Sequence, residues 1–277
     1  MMKVGIIGLG LMGGSFALAL REHYDELEVI GYDHNDQHCL EALQLGLADK
    51  ISDDLEDFYA LDLVILAIPV DGIIQVLKEF DTVAEETTII DFGGTKKPIV
   101  DAVPPQIRRN FVAGHPMTGT EFSGPQAALP DLYRGKVMVF CDIEESGEHQ
   151  RKLAKKIFTD LGMKIFYMGA EEHDRHAAFI SHMPHALSYS LANAVMKQEN
   201  PKAIIALAGG GFRDMSRIAK SSPNMWTDIF RQNRDNLLLA IRCFKGELEH
   251  CEKLVENEEW EALYAWMQRA NKLHDIL

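Results

Sequence analysis

The sequence predicts an α/β protein in which residues 1–168 form a doubly wound, mainly parallel sheet and residues 169–277 are all helical. Up to residue 168, short apolar runs alternate with helix-like segments. Runs that are apolar on both faces are typical of a parallel sheet covered by helices on both sides. Beyond EEHDRH (171–176) the strand pattern stops, and apolar residues recur at helical spacing almost to the end of the chain.

The predicted strands are KVGIIGL, EVIGYD, LDLVILAIP, TTIIDFG, NFVAGHP, KVMVFCD and KIFYM, at residues 3–9, 28–33, 61–69, 87–93, 110–116, 136–142 and 164–168. In the helical part, one apolar stripe runs from Leu237 to Val255 and a second from Leu263 to Leu273. An ordinary helical core would explain both stripes. Because so little sequence surrounds these two helices, we expect another surface to cover them, which favours a homodimer.

Composition excludes several classes of partner. The formal net charge is -14 and no basic run, Lys96–Lys97 included, is longer than two residues, so we expect neither nucleic acid nor an anionic membrane surface as a partner. Four cysteines without a C-x-x-C pair indicate reduced thiols and a cytoplasmic protein. The uncharged stretch Val4–Leu20 imitates a signal peptide, but a nucleotide-binding motif explains its glycines better.

That motif is GLGLMG, which places Gly8, Gly10 and Gly13 in the G-x-G-x-x-G spacing after an apolar strand. The first glycine allows the tight turn, the second lets a pyrophosphate approach the backbone, and the third lets helix and strand pack closely. Leu11 and Met12 then begin a helix whose N-terminal N–H groups face the phosphates. The sequence therefore predicts a Rossmann-type dinucleotide site, the alternative being a glycine-rich turn that binds nothing.

An acidic residue completes the predicted dinucleotide site. Asp33 lies 20 residues after Gly13, at the end of the second predicted strand, where its carboxylate would accept hydrogen bonds from the adenosine ribose. A carboxylate repels the 2'-phosphate of NADP, so the cofactor is predicted to be NAD. Ile68 and Pro69 end the third strand, where the chain would pass beneath the cofactor; a proline that only shapes the loop explains them equally well.

A histidine marks the catalytic side of the cleft. His115 lies in GHPMTGTEFSG (114–124), at the carboxyl end of the fifth predicted strand. Ligands of open parallel sheets gather at that edge, and neutral imidazole can take the hydroxyl proton of an alcohol while hydride leaves its carbon. We interpret His115 as this general base; a purely structural histidine is the alternative.

Two arginines of the helical part could bind an anionic substrate. Arg213 and Arg217 are four residues apart in GGGFRDMSRIAKSSPNMW, and a guanidinium binds a carboxylate through two parallel hydrogen bonds. Pairing with Asp214 or the acidic surface is the alternative. No H-E-x-x-H pattern accompanies His173, His176, His182 and His185, so a metal site is disfavoured, and substrate binding is a better use for His182 or His185.

Taken together, GIIGLGLMGGS, GYD, DFGGTK, GHPMTGTEFSG, SHMPHAL and GGGFRDMSRIAKSSPNMW resemble the prephenate dehydrogenase family of tyrosine biosynthesis. The resemblance runs from Lys3 to the C-terminal helices. It implies oxidative decarboxylation of prephenate to 4-hydroxyphenylpyruvate with reduction of NAD, or the same reaction on arogenate. A homodimer is implied as well, while inhibition by tyrosine stays open.

The resemblance also implies roles for individual residues. His115 would contact the ring hydroxyl, Arg217 would bind a substrate carboxylate, and His185 would contact substrate and influence inhibition by tyrosine. Charged residues implied to gate the pocket are Glu121, Arg213 and Asp214. Trp226 is implied to come from the partner subunit.

One departure from the family concerns the DxxSxK loop. Family members commonly have a serine that hydrogen-bonds to the catalytic histidine or to the substrate hydroxyl, but Gly94 stands at that position here. Either the hydroxyl of Thr95 substitutes for it or the hydrogen bond is absent; Lys96 still matches. Two further readings stay open: a β-hydroxyacid dehydrogenase or imine reductase, and a non-catalytic NAD-binding sensor, which only Gly94 favours.

Overall fold

The computed structural model describes residues 1–80 and 82–276, and these form one 8-stranded sheet flanked by helices. The strands are β1 (Met2–Ile7), β2 (Leu27–Tyr32), β3 (Lys50–Ile51), β4 (Leu63–Leu66), β5 (Thr88–Asp91), β6 (Phe111–Met117), β7 (Val137–Cys141) and β8 (Lys164–Met168). Their order across the sheet is β3-β2-β1-β4-β5-β6-β7-β8. The predicted mainly parallel sheet is confirmed; the two-residue strand β3 was not predicted.

All neighbouring strands are parallel except β6 and β7, which pair antiparallel from Ala113↔Cys141 to Met117↔Val137. Parallel pairing over the other strands brings the carboxyl ends of β1, β2, β4, β5 and β6 to the same edge of the sheet. Every predicted nucleotide or catalytic residue of the first part follows one of these strands or, like His115 of β6, lies near its carboxyl end. The topology therefore gathers them at one edge.

Two buried apolar clusters lie on opposite faces of the sheet. Val4 and Ile6 of β1 belong to one cluster and Ile7 to the other, as expected from the alternation of side chains along a strand. The first cluster includes Phe16 and Phe158, and the second includes Ile73. Both faces of the sheet are thus buried, which explains why the strand sequences are apolar runs in which polar residues do not alternate with apolar ones.

The helices are α1 (Leu11–His23), α2 (Asp36–Gln44), α3 (Val70–Glu79), α4 (Lys97–Ala102), α5 (Glu148–Asp160), α6 (Ala170–Ala177), α7 (Met183–Met196), α8 (Pro201–Ala206), α9 (Gly210–Ser216), α10 (Pro223–Gln232), α11 (Arg234–Glu256) and α12 (Trp260–Asn271). A single π-helical turn, Ala178–His182, joins α6 to α7. None of the described helices is long and apolar enough to cross a membrane.

The chain divides into two compact units, Met1–Asn233 and Arg234–Leu277. The first unit contains the whole sheet and the helices up to α10. The last strand ends at Met168 and helices follow from Ala170. The boundary at residues 168 and 169 therefore marks a change of secondary structure, and as a domain boundary it stays a prediction.

The second unit is a pair of helices, α11 and α12, in which the Trp266 indole donates a hydrogen bond to Glu247 at 2.8 Å. Several apolar side chains of the predicted stripes are exposed in the single chain: Leu248 at 59%, Val255 at 47% and Leu273 at 57%. An apolar stripe exposed to this extent is what a helix offers to another surface.

Candidate active site

The glycine turn joins β1 to α1 in a conformation that side chains would obstruct. Gly8 has φ +100°, and a Cβ there would lie 2.5 Å from the carbonyl oxygen of Ala67 and 2.7 Å from Ile68. At Gly13 a Cβ would lie 1.9 Å from the carbonyl oxygen of Gly8. The sequence requires glycine at these two positions because turn, strand and helix approach one another so closely.

A side chain at Gly10 would meet no such obstruction. The nearest atom to a Cβ at this position would be the backbone nitrogen of Gly124, at 3.9 Å. Leu11 and Met12 begin α1 beside it, and the first turn of that helix carries no acidic side chain. The helix N-terminus therefore offers N–H groups that no acidic side chain opposes and that no side chain at Gly10 covers.

Asp33 lies just beyond β2, against this turn. Its side chain is 6% exposed. One carboxylate oxygen accepts a hydrogen bond from the backbone N–H of Leu9 at 2.9 Å, and the other accepts one from Asn35 at 3.0 Å. The Nδ1 atoms of His34 and His38 lie 3.4 and 3.5 Å from the carboxylate. These contacts hold the acid at the mouth of the glycine turn.

Ile68 and Pro69 follow β4 on the other side of the turn. The Ile68 side chain packs against Gly8, and Pro69 is the N-cap residue of α3. The proline fixes the backbone angle at which the chain leaves the sheet and enters the helix. Both residues thus line the edge of the sheet at which Gly8 and Asp33 lie.

His115 lies on β6 and is half-buried. Its Nδ1 atom is 2.8 Å from Nε2 of His173, a buried side chain of α6. Burial holds the pKa of His115 well below its ordinary value, and the nearby positive charge of Lys96 acts in the same direction. The ring is therefore neutral near neutral pH, as a proton acceptor must be.

The loop after β5 supports the strand that carries His115. Lys96 is fully buried, and its ammonium donates hydrogen bonds to the Asp91 carboxylate and to the carbonyl of Gly114. Since Gly114 directly precedes His115, Lys96 fixes the backbone at the imidazole rather than presenting its charge to the cleft. A buried pair of this kind would leave an uncompensated charge if either partner were removed.

Thr95 is also fully buried, and its hydroxyl donates to Oε1 of Gln232 at 3.0 Å. Its single proton is therefore engaged away from His115. The expectation that the Thr95 hydroxyl replaces the missing serine by donating to His115 is therefore wrong. Gly94, which has no side chain, cannot supply the bond either.

The residues predicted to bind substrate lie on several helices of the first unit. His185 of α7 stacks on Trp226 of α10, with ring centroids 3.5 Å apart and an interplanar angle of 22°. The His185 Nδ1–H donates to the carbonyl of Ser181 at 2.9 Å, which leaves Nε2 as an acceptor. Burial lowers the pKa of His185, and the nearby charge of Arg217 adds to this effect.

Trp226 stacks on His185 of its own chain. Its implied contribution to the pocket of the partner subunit stays a prediction. The indole is 7% exposed, and its N–H has no hydrogen-bond acceptor among the described residues.

Arg217 begins a 3₁₀ turn after α9, and its guanidinium lies 3.8 Å from the carboxylate of Glu121. The arginine side chain is 56% exposed, so its charge is accessible to a ligand. Arg213 and Asp214 are exposed on α9, and Arg213 donates to the carbonyl of Ala208 at 3.3 Å. The structure therefore brings Arg217 and Glu121 together, whereas Arg213 and Asp214 lie at the surface.

Sequence reasoning missed how the buried groups behind His115 pair, and it assigned one of them, His182, to substrate binding, although that side chain is 1% exposed. His173 donates toward Asp174, His182 lies 3.1 Å from the side-chain nitrogen of Asn233, and His182 also hydrogen-bonds to the backbone of Gly94. His182 sits in the π-helical turn, a feature that often marks functional sites. The available signal was the segment EEHD, which was considered only as a source of metal ligands; no group of three potential ligands meets among the described residues.

The doubly wound sheet, the glycine turn and the acid that closes it define a class, the dinucleotide-binding dehydrogenases. Within that class, the model described as "Prephenate dehydrogenase, nucleotide-binding domain" matches residues 16–167. The model described as "Prephenate dehydrogenase, dimerization domain" matches residues 169–269. The chain belongs to the prephenate dehydrogenase family, and the resemblance found in its motifs is confirmed.

Relatives support the same assignment. A prephenate dehydrogenase of Bacillus subtilis is 33% identical, over 98% of this chain and 75% of the relative. The structure of a prephenate dehydrogenase from A. aeolicus in complex with hydroxyphenyl propionate and NAD+ has a TM-score of 0.92 and 34% identity, over 100% of this chain and 99% of that chain. A Synechocystis arogenate dehydrogenase has a TM-score of 0.80 and 26% identity, over 99% of both chains.

Proposed function

We propose that this chain is an NAD-dependent prephenate dehydrogenase that converts prephenate to 4-hydroxyphenylpyruvate and carbon dioxide. The observation that carries the proposal is the placement of His115. Its half-buried neutral imidazole lies at the same edge of the sheet as the glycine turn and Asp33. A base beside a nucleotide site is what the oxidation of an alcohol requires.

The residues of the turn suit NAD. Gly8, Gly10 and Gly13 put no side chain over the N-terminus of α1, and the carboxylate of Asp33 can accept hydrogen bonds from ribose hydroxyls. NAD held at this turn would supply the acceptor for the hydride that leaves the carbinol carbon of the substrate. A carboxylate at Asp33 disfavours the 2'-phosphate of NADP.

The remaining chemistry belongs to the side chains of the protein. His115 accepts the hydroxyl proton as the carbinol carbon becomes a carbonyl. The ring then loses its carboxylate as carbon dioxide and becomes aromatic, and the resulting phenolate oxygen takes a proton back to give the hydroxyl of the product. Aromatisation makes the reaction irreversible, so a base of low pKa suffices. Arg217 binds a substrate carboxylate, and His185 on its Trp226 support contributes an acceptor at Nε2. The protein thus works by orientation and proton transfer.

Two further parts of the proposal concern assembly and location. The match to a dimerization domain and the exposed stripe at Leu248 and Val255 support a homodimer. The free thiols of Cys39, Cys141, Cys243 and Cys251 are compatible with the cytoplasm. We propose that residues 1–168 bind NAD and that residues 169–277 bind substrate and dimerise.

Formation of NADH, followed at 340 nm with prephenate or arogenate and with NAD or NADP, tests the proposal. We expect turnover with prephenate and NAD. A preference for arogenate would keep the mechanism and change only the side-chain pocket, as the arogenate dehydrogenase among the structural relatives allows. Tyrosine, added as a competitor, tests whether an aromatic amino acid occupies the same pocket. The absence of turnover with all four pairs would refute the proposed activity.

A matched pair of variants tests the base. His115→Asn is expected to lower kcat by roughly 10²- to 10⁴-fold while NAD still binds. His176→Asn changes a histidine that is exposed on α6, and it should leave turnover unchanged. Turnover of the wild-type kind in His115→Asn would contradict the role of the imidazole.

A further inference from the structure

We propose that His173 and Asp174 are positioning residues that fix the ring orientation and the tautomer of His115. This inference rests on the proposed function, since His115 needs a defined tautomer only if it takes a proton. The two residues are neighbours on α6, both are at least nine-tenths buried, and they form a chain of hydrogen bonds that ends at His115.

The chain of hydrogen bonds starts at the carboxylate of Asp174, which several hydrogen bonds fix in place. The two oxygens of Asp174 accept hydrogen bonds from the backbone N–H groups of Lys96 at 2.7 Å and Lys97 at 2.9 Å. Its backbone carbonyl accepts a further bond from Asn233 at 2.7 Å. Burial opposes ionisation, but the hydrogen bonds from His173, Lys96 and Lys97 outweigh it and lower the pKa of Asp174. The group is therefore ionised and can only accept hydrogen bonds.

The direction of each remaining bond follows from that charge. His173 Nδ1 is 2.9 Å from Oδ1 of Asp174, so this nitrogen must carry the proton. In the neutral ring, Nε2 of His173 is then an acceptor, and the atom 2.8 Å away is Nδ1 of His115. Nδ1 of His115 must therefore be the donor. A neutral His115 with its proton on Nδ1 keeps the lone pair on Nε2, where a substrate hydroxyl can deliver its proton.

The arrangement also settles what replaces the missing loop serine. Gly94 has no side chain, and the hydroxyl proton of Thr95 is engaged by Gln232. The partner that the structure gives to Nδ1 of His115 is His173, which meets it nearly edge-on with ring centroids 5.0 Å apart. A buried ring can hold another ring more rigidly than a loop hydroxyl, because its own position is fixed by a second hydrogen bond.

A pair of variants at His173 separates positioning from packing. His173→Phe keeps a ring of similar size but removes both nitrogen atoms, whereas His173→Gln keeps an acceptor for His115 and a donor for Asp174. We expect His173→Phe to lower kcat by roughly 10²- to 10⁴-fold with little change in the KM for NAD, as for the loss of a correctly oriented base. His173→Gln should recover at least about tenfold of that loss. His176→Phe, on an exposed position of the same helix, serves as the control.

Two readouts distinguish a role in the tautomer from a structural one. The acid limb of kcat/KM should move to lower pH in His173→Phe, because the neutral His173 accepts the Nδ1 proton of His115 and so stabilises the charged form of that ring. Lys96 and His182 face the same ring and are retained. Nitrogen-15 NMR of the histidine side chains should show His115 protonated at Nδ1 in the wild type, and a different proton distribution in His173→Phe. The His115→Asn spectrum identifies the signals.

The outcomes separate this inference from the proposed activity. Absence of turnover in the wild type would remove the proposed activity, yet the NMR experiment would still report the tautomer. A wild type with His115 protonated at Nε2 would overturn the inference. So would a His173→Phe variant with normal kcat and an unchanged pH profile, or an equal loss in His173→Phe and His173→Gln with the tautomer preserved.

Discussion

Gly13→Ala should lower the stability of the fold, whereas Gly10→Ala should weaken NAD binding, although both glycines lie at the start of the same helix. A Cβ at Gly13 would lie 1.9 Å from the carbonyl oxygen of Gly8 and 2.8 Å from the Ile6 side chain. The start of α1 would have to move by about 1 Å or more to restore an ordinary contact. Phe16 of the same helix is fully buried, so the movement disturbs the core. A Cβ at Gly10 meets no atom closer than 3.9 Å.

The expected magnitudes follow from these distances. Overpacking a core costs about 1–3 kcal/mol or more, and the better helix propensity of alanine returns at most about 1 kcal/mol. Gly13→Ala should therefore lose about 2 kcal/mol of stability, or about 4–8 °C in Tm for a unit of this size. Gly10→Ala should change Tm by no more than about 2 °C. Its Kd for NAD should rise at least about tenfold, because the methyl group occupies the space in which the pyrophosphate approaches the backbone.

Thermal unfolding with and without NAD, combined with a calorimetric titration of NAD, measures both effects. Gly246→Ala in α11 is the control, because a Cβ there meets no atom within 4 Å and the substitution should slightly stabilise the helix. Two results would refute the reasoning. One is an unchanged Tm in Gly13→Ala, and the other is normal NAD binding in Gly10→Ala.

Three other measurements follow from the site. Asp33→Ser should lower the ratio of kcat/KM for NAD to that for NADP at least about tenfold, since the carboxylate that repels a 2'-phosphate is gone; an unchanged ratio would contradict its placement. The acid limb of the kcat/KM profile with prephenate should lie below pH 6.5, because burial lowers the pKa of His115 and only the neutral ring accepts a proton; a limb at or above that value would count against it. Burial also lowers the pKa of His182 from 6.5 to about 4, so the unfolded chain takes up this proton first as the pH falls. The stability of the wild type should therefore decrease between pH 6.5 and pH 4 by roughly 3 kcal/mol more than that of His182→Gln, as measured by urea unfolding, and equal losses would show that His182 is not responsible.

The sheet could be predicted because burial on both faces leaves a simple pattern of apolar runs. β3 escaped prediction because Lys50–Ile51 is too short to form a pattern. The antiparallel orientation of β7 could not be predicted either, because the apolar pattern of Val137–Cys141 is the same in both strand directions. Strand direction is set by the connection between strands, which the apolar pattern does not contain.

The site divides in the same way. Gly8, Gly13 and Asp33 were found because their roles depend on local spacing, which the sequence displays directly. The contact between His115 and His173 joins residues 58 positions apart and depends on how α6 packs against the sheet. The engagement of Thr95 by Gln232 and the stack of Trp226 on His185 are likewise products of helix packing. Residue types alone could nominate these side chains but could not pair them.

The antiparallel pairing of β6 with β7 determines what covers the active site. In such a pair the chain leaves β6 and enters β7 at the same edge of the sheet, so residues 118–136 never cross to the opposite edge. A parallel β7 would have required the connection to cross to the opposite edge of the sheet, and this part of the chain would then not cover the glycine turn. The segment instead returns over the cleft, where the Gly124 nitrogen lies near Gly10 and Glu121 reaches toward Arg217. One reversed strand thus places the segment that carries Glu121 and Gly124 at the same edge of the sheet as the glycine turn, and Leu132 and Tyr133 of that segment anchor it in the core.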